Sequence, residues 1–231
     1  MALALQDRVI VVTGGFGSLG RVLATVLGEQ GARVALLDRA PVPADLADTE
    51  RRLALGQVDL ASEGAAQIAL AQIAQRWQRI DGLVNVAGGF TWQTLGEGSL
   101  ETWDRLYAMN LRSAVAASQA ALPHLGSGGR IVNVGAMAAL KAAAGMGAYA
   151  ASKAGVMRLT EALAEELKDR GVTVNAVLPS IIDTPANRAD MPAATFDRWV
   201  TPTALSRVVA FLLSDDAAAI TGACIPVAGR V

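Results

Sequence analysis

The stretch 8-RVIVVTGGFGSLGRVLATVLGEQG-31 runs from a β-branched apolar segment, through a glycine-rich turn, into residues with helical spacing. Val, Ile and Thr crowd the first part, as expected of a buried strand. Gly14, Gly17 and Gly20 fall at the turn, where a chain lacking Cβ atoms can come close to a pyrophosphate. The helix that follows offers free N–H groups and the positive end of its dipole. A glycine pattern alone says little. Here it follows a strand, opens a helix and sits inside a strand-helix-strand unit, which is the context that gives it meaning. A plain tight turn is the alternative.

The same alternation continues along the chain. Apolar runs recur at 33-RVALLD-38, 53-LALGQVDL-60, 82-GLVNVAG-88, 130-RIVNVGA-136, 172-VTVNAVLP-179 and 223-ACIPVAG-229. They show little polar alternation, as strands buried on both faces do. Helical spacing fills about 19–30, 62–78, 100–125, 149–170 and 203–214. This order predicts one α/β domain over 1–231: a doubly wound parallel sheet of about seven strands with helices on both faces. Residues 185-PANRADMPAATFDRWVTP-202 break the rhythm with three prolines. Loops this long in compact domains are usually functional, so this one is a candidate substrate lid, with a surface excursion as the alternative.

Composition narrows the function classes. The chain has 231 residues, 52% hydrophobic, with 20 basic against 21 acidic side chains. No basic run exists to hold nucleic acid. No apolar run is long enough to span a membrane. The single cysteine, Cys224, cannot form an internal disulfide, and no His/Cys/Asp/Glu grouping has metal-ligand spacing. The first residues lack the charged start and cleavage site of a signal peptide. These features lead us to expect a soluble cytoplasmic protein with a small-molecule substrate and no bound metal. Cys224 reads as core, and His124 as a helix-end residue whose imidazole can cap free carbonyls.

Three further positions carry chemistry. Asp38 closes the second predicted strand, where a carboxylate can accept hydrogen bonds from the adenosine ribose and would repel a 2′-phosphate. It favours NAD(H) over NADP(H), although Arg39 beside it could cradle a phosphate. Asp59 is placed either to meet the adenine or to serve as an acid at a helix start. In 149-YAASK-153, Tyr149 and Lys153 lie one helical turn apart on one face. A lysine ammonium there would stabilise a phenolate and lower the tyrosine pKa from about 10, so that Tyr149 could pass a proton as hydride moves.

With TGGFGSLG, NVAG, Asn110 and YAASK in this order, the chain resembles the short-chain dehydrogenases/reductases over nearly its whole length. That resemblance implies an oxidoreductase with catalytic Tyr149, Lys153 and Asn110. Lys153 would also hold the nicotinamide ribose, and Asn110 would seat a relay water. It also implies a dinucleotide site built from Gly14, Phe16, Gly17, Ser18, Leu19, Gly20, Asp38, Arg39, Asp59, Leu60, Asn85, Ala87, Gly88, Tyr149, Lys153, Pro179, Ile182 and Thr184. The alanine-rich helices would join copies into a homodimer or homotetramer. Three positions depart from the family pattern. Ser18 replaces its middle glycine, Val86 its second asparagine, and Ala136 its catalytic serine.

The missing serine has two explanations. Thr91, Thr94 or Ser180 could supply another hydroxyl for an ordinary ketone. Alternatively, an electron-poor acceptor could need only one donor. The stretches 87-AGGFTW-92, 135-GAMAALKAAAGMGAYAASKAGV-156 and 178-LPSIIDTPANRADMPAATFDRWVTP-202 resemble dihydropteridine reductases, which implies NADH and a quinonoid, pterin-like substrate. Phe90, Trp92 and Trp199 could then stack on a flat ring beside Ala136, or simply pack. A non-catalytic dinucleotide-binding protein is a third reading, against which the intact Asn110, Tyr149 and Lys153 argue.

Overall fold

The computed structural model describes residues 4–62 and 64–231. Residues 1–3, within the expected domain, and Glu63, within the expected helix at 62–78, lie outside the described residues. Seven strands form one parallel sheet in the order β3-β2-β1-β4-β5-β6-β7. They are β1 (Val9–Thr13), β2 (Arg33–Leu37), β3 (Arg52–Leu55), β4 (Ile80–Asn85), β5 (Leu125–Val134), β6 (Thr173–Pro179) and β7 (Cys224–Val227). The helices are α1 (Ser18–Glu29), α2 (Ala65–Trp77), α3 (Leu100–Tyr107), α4 (Ser113–Ala121), α5 (Gly147–Leu167), α6 (Pro185–Asp190) and α7 (Pro202–Leu213). The expected fold class is found.

Side-chain alternation explains why the strand runs look uniformly apolar. Val9, Val11, Ala35, Leu37 and Leu83 face α2, α4 and α5, whereas Ile10, Val12, Val34, Leu36 and Val84 face α1 and α7. Each strand therefore buries successive residues in opposite layers. At the centre, β1 pairs with β2 on one side and β4 on the other, with Val11 opposite both Ala35 and Leu83. Parallel pairing brings the carboxyl ends of these strands to one edge, which becomes the floor of a cleft.

Several expected boundaries shift for local reasons. The run 53–60 stops being strand at Leu55, because Gly56 lies against the backbone of 40–42 and Gln57 takes φ of 59°. The expected helix over 100–125 is interrupted by a π-turn at Ala108–Arg112. β5 begins at Leu125, ahead of its expected start at 130. Cys224 is half-buried rather than core. The carbonyls of Leu122 and Leu125, near His124, are taken by the Arg170 guanidinium. Among the described residues no helix is long and apolar enough to cross a membrane.

A buried polar ladder ties the sheet centre to α5. Asn85 Nδ2 donates to Asn133 Oδ1 at 2.8 Å and to Ser118 Oγ at 3.1 Å, and Asn133 Nδ2 donates to Thr160 Oγ1 at 2.8 Å. Removing Asn133 would leave Asn85 and Thr160 short of partners in a dry interior. Asn133→Ala is therefore expected to cost about 2–3 kcal/mol in urea unfolding with an unchanged m-value. A loss near zero would mean that the ladder contributes nothing to stability.

Candidate functional site

The cleft at the carboxyl edge encloses about 560 Å³. Thr13 sets its floor, because its Oγ1 accepts the N–H groups of Val86 at 3.0 Å and Ala87 at 3.1 Å and so fastens the turn after β4 to the end of β1. Gly14, at φ 65°, is close enough to Ala87 that a Cβ would sit 2.9 Å from its backbone. A Cβ on Gly20 would fall on the Gly14 carbonyl and the Gly15 backbone. Only glycine permits this packing of turn against helix. Gly17 caps α1 without a side-chain hydrogen bond, so no side chain occupies the cap of the helix that opens onto the cleft.

The expected binding residues largely converge here. Gly14, Gly17, Ser18, Leu19 and Gly20 line one wall, Asp38, Arg39, Asp59 and Leu60 the far end, and Ala87, Gly88 and Thr184 the near end. Asp38 accepts from the N–H of Phe16 and from that of Ala40, both at 3.0 Å, one on each carboxylate oxygen. This anchors the glycine turn and leaves further lone pairs facing the cleft. Asp59 Oδ1 accepts from Ala61 N–H. These residues fit a dinucleotide: close backbone, an uncapped helix start and a carboxylate at the ribose end.

Other expected residues do not reach the cleft. Asn85 is buried and gives both amide hydrogens to the ladder, its Oδ1 finding no protein partner, and Phe16 contributes its backbone N–H to Asp38 while its ring packs on the α1 layer. Pro179 is buried in β6, and Ile182 packs on the core with its carbonyl taken by Asn187. Thr184, which does line the cleft, also caps α6 by accepting from Asn187 N–H. Sequence reasoning missed Thr13, Arg105, Met109 and Ser113. Only Thr13 left a signal, a lone hydroxyl ending an apolar strand.

The Tyr-Lys pair stands behind the cleft wall, with Lys153 against Gly88. Lys153, 5% exposed, donates from Nζ to the Val134 carbonyl at 2.8 Å, and a Cβ on Gly88 would come 3.3 Å from that nitrogen. Burial lowers the Lys153 pKa to about 8 and pushes the Tyr149 phenol up to about 12. The expectation that the ammonium lowers the phenol pKa is thus not met here: desolvation governs both groups, and the lysine points at a carbonyl. Asn110 sits on the π-turn, a helix irregularity often found at working sites. Its Oδ1 accepts from Gly89 N–H at 2.8 Å, and its Nδ2 donates to the Gly89 carbonyl and Ser152 Oγ. Its amide brackets the turn rather than standing free for a water.

The candidate substrate residues separate. Phe90 meets the Tyr149 ring edge-on, with centroids 5.0 Å apart and planes at 89°. Ala136 is buried and extended just beyond β5, presenting a methyl where the family pattern has a hydroxyl. Trp199, 7% exposed, packs on Phe196, which in turn carries the Arg188 guanidinium. Its ring is used inside the 185–202 segment, which also contains α6 and a 3-10 turn at Phe196–Arg198. The segment is thus more ordered than its sequence suggests. Thr91 and Thr94 hydroxyls engage Arg105 and Glu97, and Ser180 Oγ donates to the Ala228 carbonyl.

A family model described as short chain dehydrogenase matches residues 8–194. The chain belongs to the short-chain dehydrogenase family. It is an oxidoreductase of the NAD(P)-dependent short-chain type. It is 32% identical over 250 residues to a 2-(S)-hydroxypropyl-CoM dehydrogenase of Xanthobacter autotrophicus, covering 99% of this chain and 98% of that one. It is also 32% identical over 241 residues to a meso-2,3-butanediol dehydrogenase of Serratia marcescens, covering 98% and 95%. Among solved structures, a Brucella melitensis short-chain dehydrogenase/reductase superposes with TM-score 0.90 at 30% identity, covering 99% of this chain and 98% of that one. One from Burkholderia cenocepacia, in complex with NADP, superposes with TM-score 0.84 at 32% identity, covering 98% of each. None of these names points to a pterin, so the local likeness to dihydropteridine reductases gains no support from them.

The lysine gives a test of the site's electrostatics. Its folded pKa of about 8 lies below the unfolded value of 10.5. Between those values the unfolded chain binds more protons, so this group makes stability rise with pH. The wild type should therefore gain roughly 2 kcal/mol on Lys153→Met between about pH 7 and pH 9.5 in denaturant titrations. Parallel pH dependences would show that the ammonium is not desolvated.

Proposed function

We propose that this short-chain dehydrogenase interconverts a small secondary alcohol and its ketone, using NAD(H) in preference to NADP(H). The observation that carries this reading is the Tyr149–Lys153 pair on α5, with Lys153 Nζ directly behind Gly88 in the wall of the cleft. The alcohol dehydrogenases among its relatives support the substrate class. A bound nicotinamide dinucleotide supplies or takes up the hydride. In the reducing direction the Tyr149 phenol gives its proton to the substrate oxygen as the carbon gains hydride, and in the oxidising direction the phenolate takes it back. Burial suits the acid role, because it keeps the phenol protonated across the neutral range.

Lys153 has two acceptors to choose between. Its Nζ, held on the Val134 carbonyl at 2.8 Å, would also hold a ribose hydroxyl of a bound dinucleotide. Gly88 admits this approach, since any side chain there would crowd both Asn110 and Lys153. Asn110 holds the Gly89 peptide so that the near wall stays in place. The Asp38 carboxylate accepts from ribose hydroxyls and disfavours a 2′-phosphate. Arg39 is free to meet such a phosphate, so the preference rests on Asp38. We assign the protein no nucleic-acid or membrane partner.

Ala136 favours a second reading. With one donor at the substrate oxygen, an unactivated ketone should react slowly, since an oxyanion donor is typically worth about two to three orders of magnitude. A planar electron-poor acceptor such as a quinonoid pterin would need only Tyr149, and Phe90 offers it an exposed ring. Assaying NADH oxidation against simple ketones, diketones and a chemically generated quinonoid dihydropterin separates the two. Under the proposal, ketones turn over and Ala136→Ser accelerates them about tenfold or more. Silent ketones with rapid pterin turnover, unchanged by the serine, would overturn it. For the cofactor, Asp38→Ala is expected to erase most of the NAD preference in kcat/KM ratios. An unaltered ratio would show that Asp38 does not set it.

A further inference from the structure

The sequence offers Trp92 as a stacking surface, but the structure uses its indole otherwise. Trp92 Nε1 donates to the Ala144 carbonyl at 3.0 Å. One residue on, Gln93 N–H donates to the Gly145 carbonyl at 2.8 Å. Gly145 has φ of 74°, and a Cβ there would fall within the indole ring. Glycine is therefore required twice at 145: for the left-handed backbone and for the space the ring occupies. Two loops that are far apart in sequence are latched by a ring seated on a peptide.

The latch acts on what lies between its anchors. Upstream, Asn110 brackets the Gly89 peptide on both sides. Downstream, Trp92 and Gln93 are held on 144–145. Phe90 and Thr91 span the short gap, and Thr91 Oγ1 is itself held, donating to the Phe90 carbonyl at 2.9 Å and accepting from Arg105 Nη2 at 3.0 Å. Phe90 is left little freedom, and its ring rests on Tyr149 although 51% of the residue is exposed. The other end of the latch, Gly145, leads within four residues to Tyr149 in the first turn of α5. The same contact thus fixes both partners of the Phe90–Tyr149 pair.

We propose that Trp92 and Gly145 form a clamp that seats Phe90 on Tyr149, making Trp92 a positioning residue for the proton donor rather than a substrate contact. Its effect on turnover rests on the reading of Tyr149 as proton donor, but the clamp itself does not. Opening it would free Phe90 and let water reach the phenol. The raised phenol pKa comes from burial; Lys153, one turn along α5, keeps its Nζ on the Val134 carbonyl, and Arg105 is held on Thr91. Neither contacts the clamp directly. A change in Tyr149 titration on loss of Trp92 would therefore report the loss of Phe90 cover.

The chain has two tyrosines, Tyr107 and Tyr149, so a Tyr107→Phe background isolates Tyr149. In that background the ionised fraction of Tyr149 is read at pH 10.5 by ring-labelled tyrosine NMR. With the phenol pKa near 12 it should be a few per cent ionised. Trp92→Ala should raise that fraction to about a third or more. Trp92→Phe, which keeps a ring and loses the donor, should give an intermediate value. Turnover should fall about tenfold in Trp92→Ala with the KM for dinucleotide unchanged. Circular dichroism at the same pH confirms a folded chain, and Trp92→Phe carries the test if Trp92→Ala is unfolded. An unmoved Tyr149 titration would overturn the proposal. A rise in substrate KM alone, with the titration unmoved, would also overturn it and mark Trp92 as a substrate contact. The titration needs no substrate, so it stands whichever substrate reading survives.

Discussion

A sheet covered on both faces by helices leaves no water to satisfy its backbone, so every strand must find its partners within the sheet. In this chain the strand-helix-strand order makes that pairing parallel, and the register of β1 between β2 and β4 follows. Parallel register puts the carboxyl ends of the central strands at one edge. Thr13, Asp38 and the 86–88 turn meet there because their strands end there. The cleft is a consequence of buried backbone pairing, with glycines at 14, 20 and 88 letting the turns that wall it pack closely on one another and on Asn110 and Lys153.

Desolvation governs the reacting end. The same burial that opposes charge on Lys153 keeps the Tyr149 phenol protonated, so one face of α5 carries an acid and a poorly solvated ammonium. A ribose hydroxyl near Lys153 would give the ammonium the partner that Val134 now supplies. Under the proposed reaction, alanine at 136 would leave the substrate oxygen one donor short of the family pattern. The proposed site would then rely on a single hydroxyl and on how well that hydroxyl is held, which would give the packing of Phe90 on Tyr149 its importance.

Much of this was legible in the sequence. The uninterrupted Val, Ile and Leu runs revealed a two-sided sheet, and the strand-to-helix glycine turn revealed one wall of the cleft. The Tyr-Lys spacing placed both groups on one helical face. What the sequence could not show depended on contacts distant along the chain. Asn85 sits in a motif that suggests a binding role, yet it faces Asn133 and Ser118 in the interior. The π-turn at Asn110 leaves no mark in apolar periodicity. Trp92 and Trp199 are both aromatic and near the expected substrate, yet one is seated on Gly145 and the other on Phe196. The direction of the Tyr149 shift is hidden for the same reason, because the cover over a phenol and the carbonyl that holds a lysine are properties of the packed molecule.

The central claim is that the Tyr149 hydroxyl transfers the substrate proton without help from a serine. The most direct measurement is hydride transfer by Tyr149→Phe, followed in both directions with the best alcohol–ketone pair, alongside dinucleotide affinity. The account predicts a fall of about two orders of magnitude or more in rate with the dinucleotide Kd unchanged. Undiminished transfer by the phenylalanine variant would contradict it.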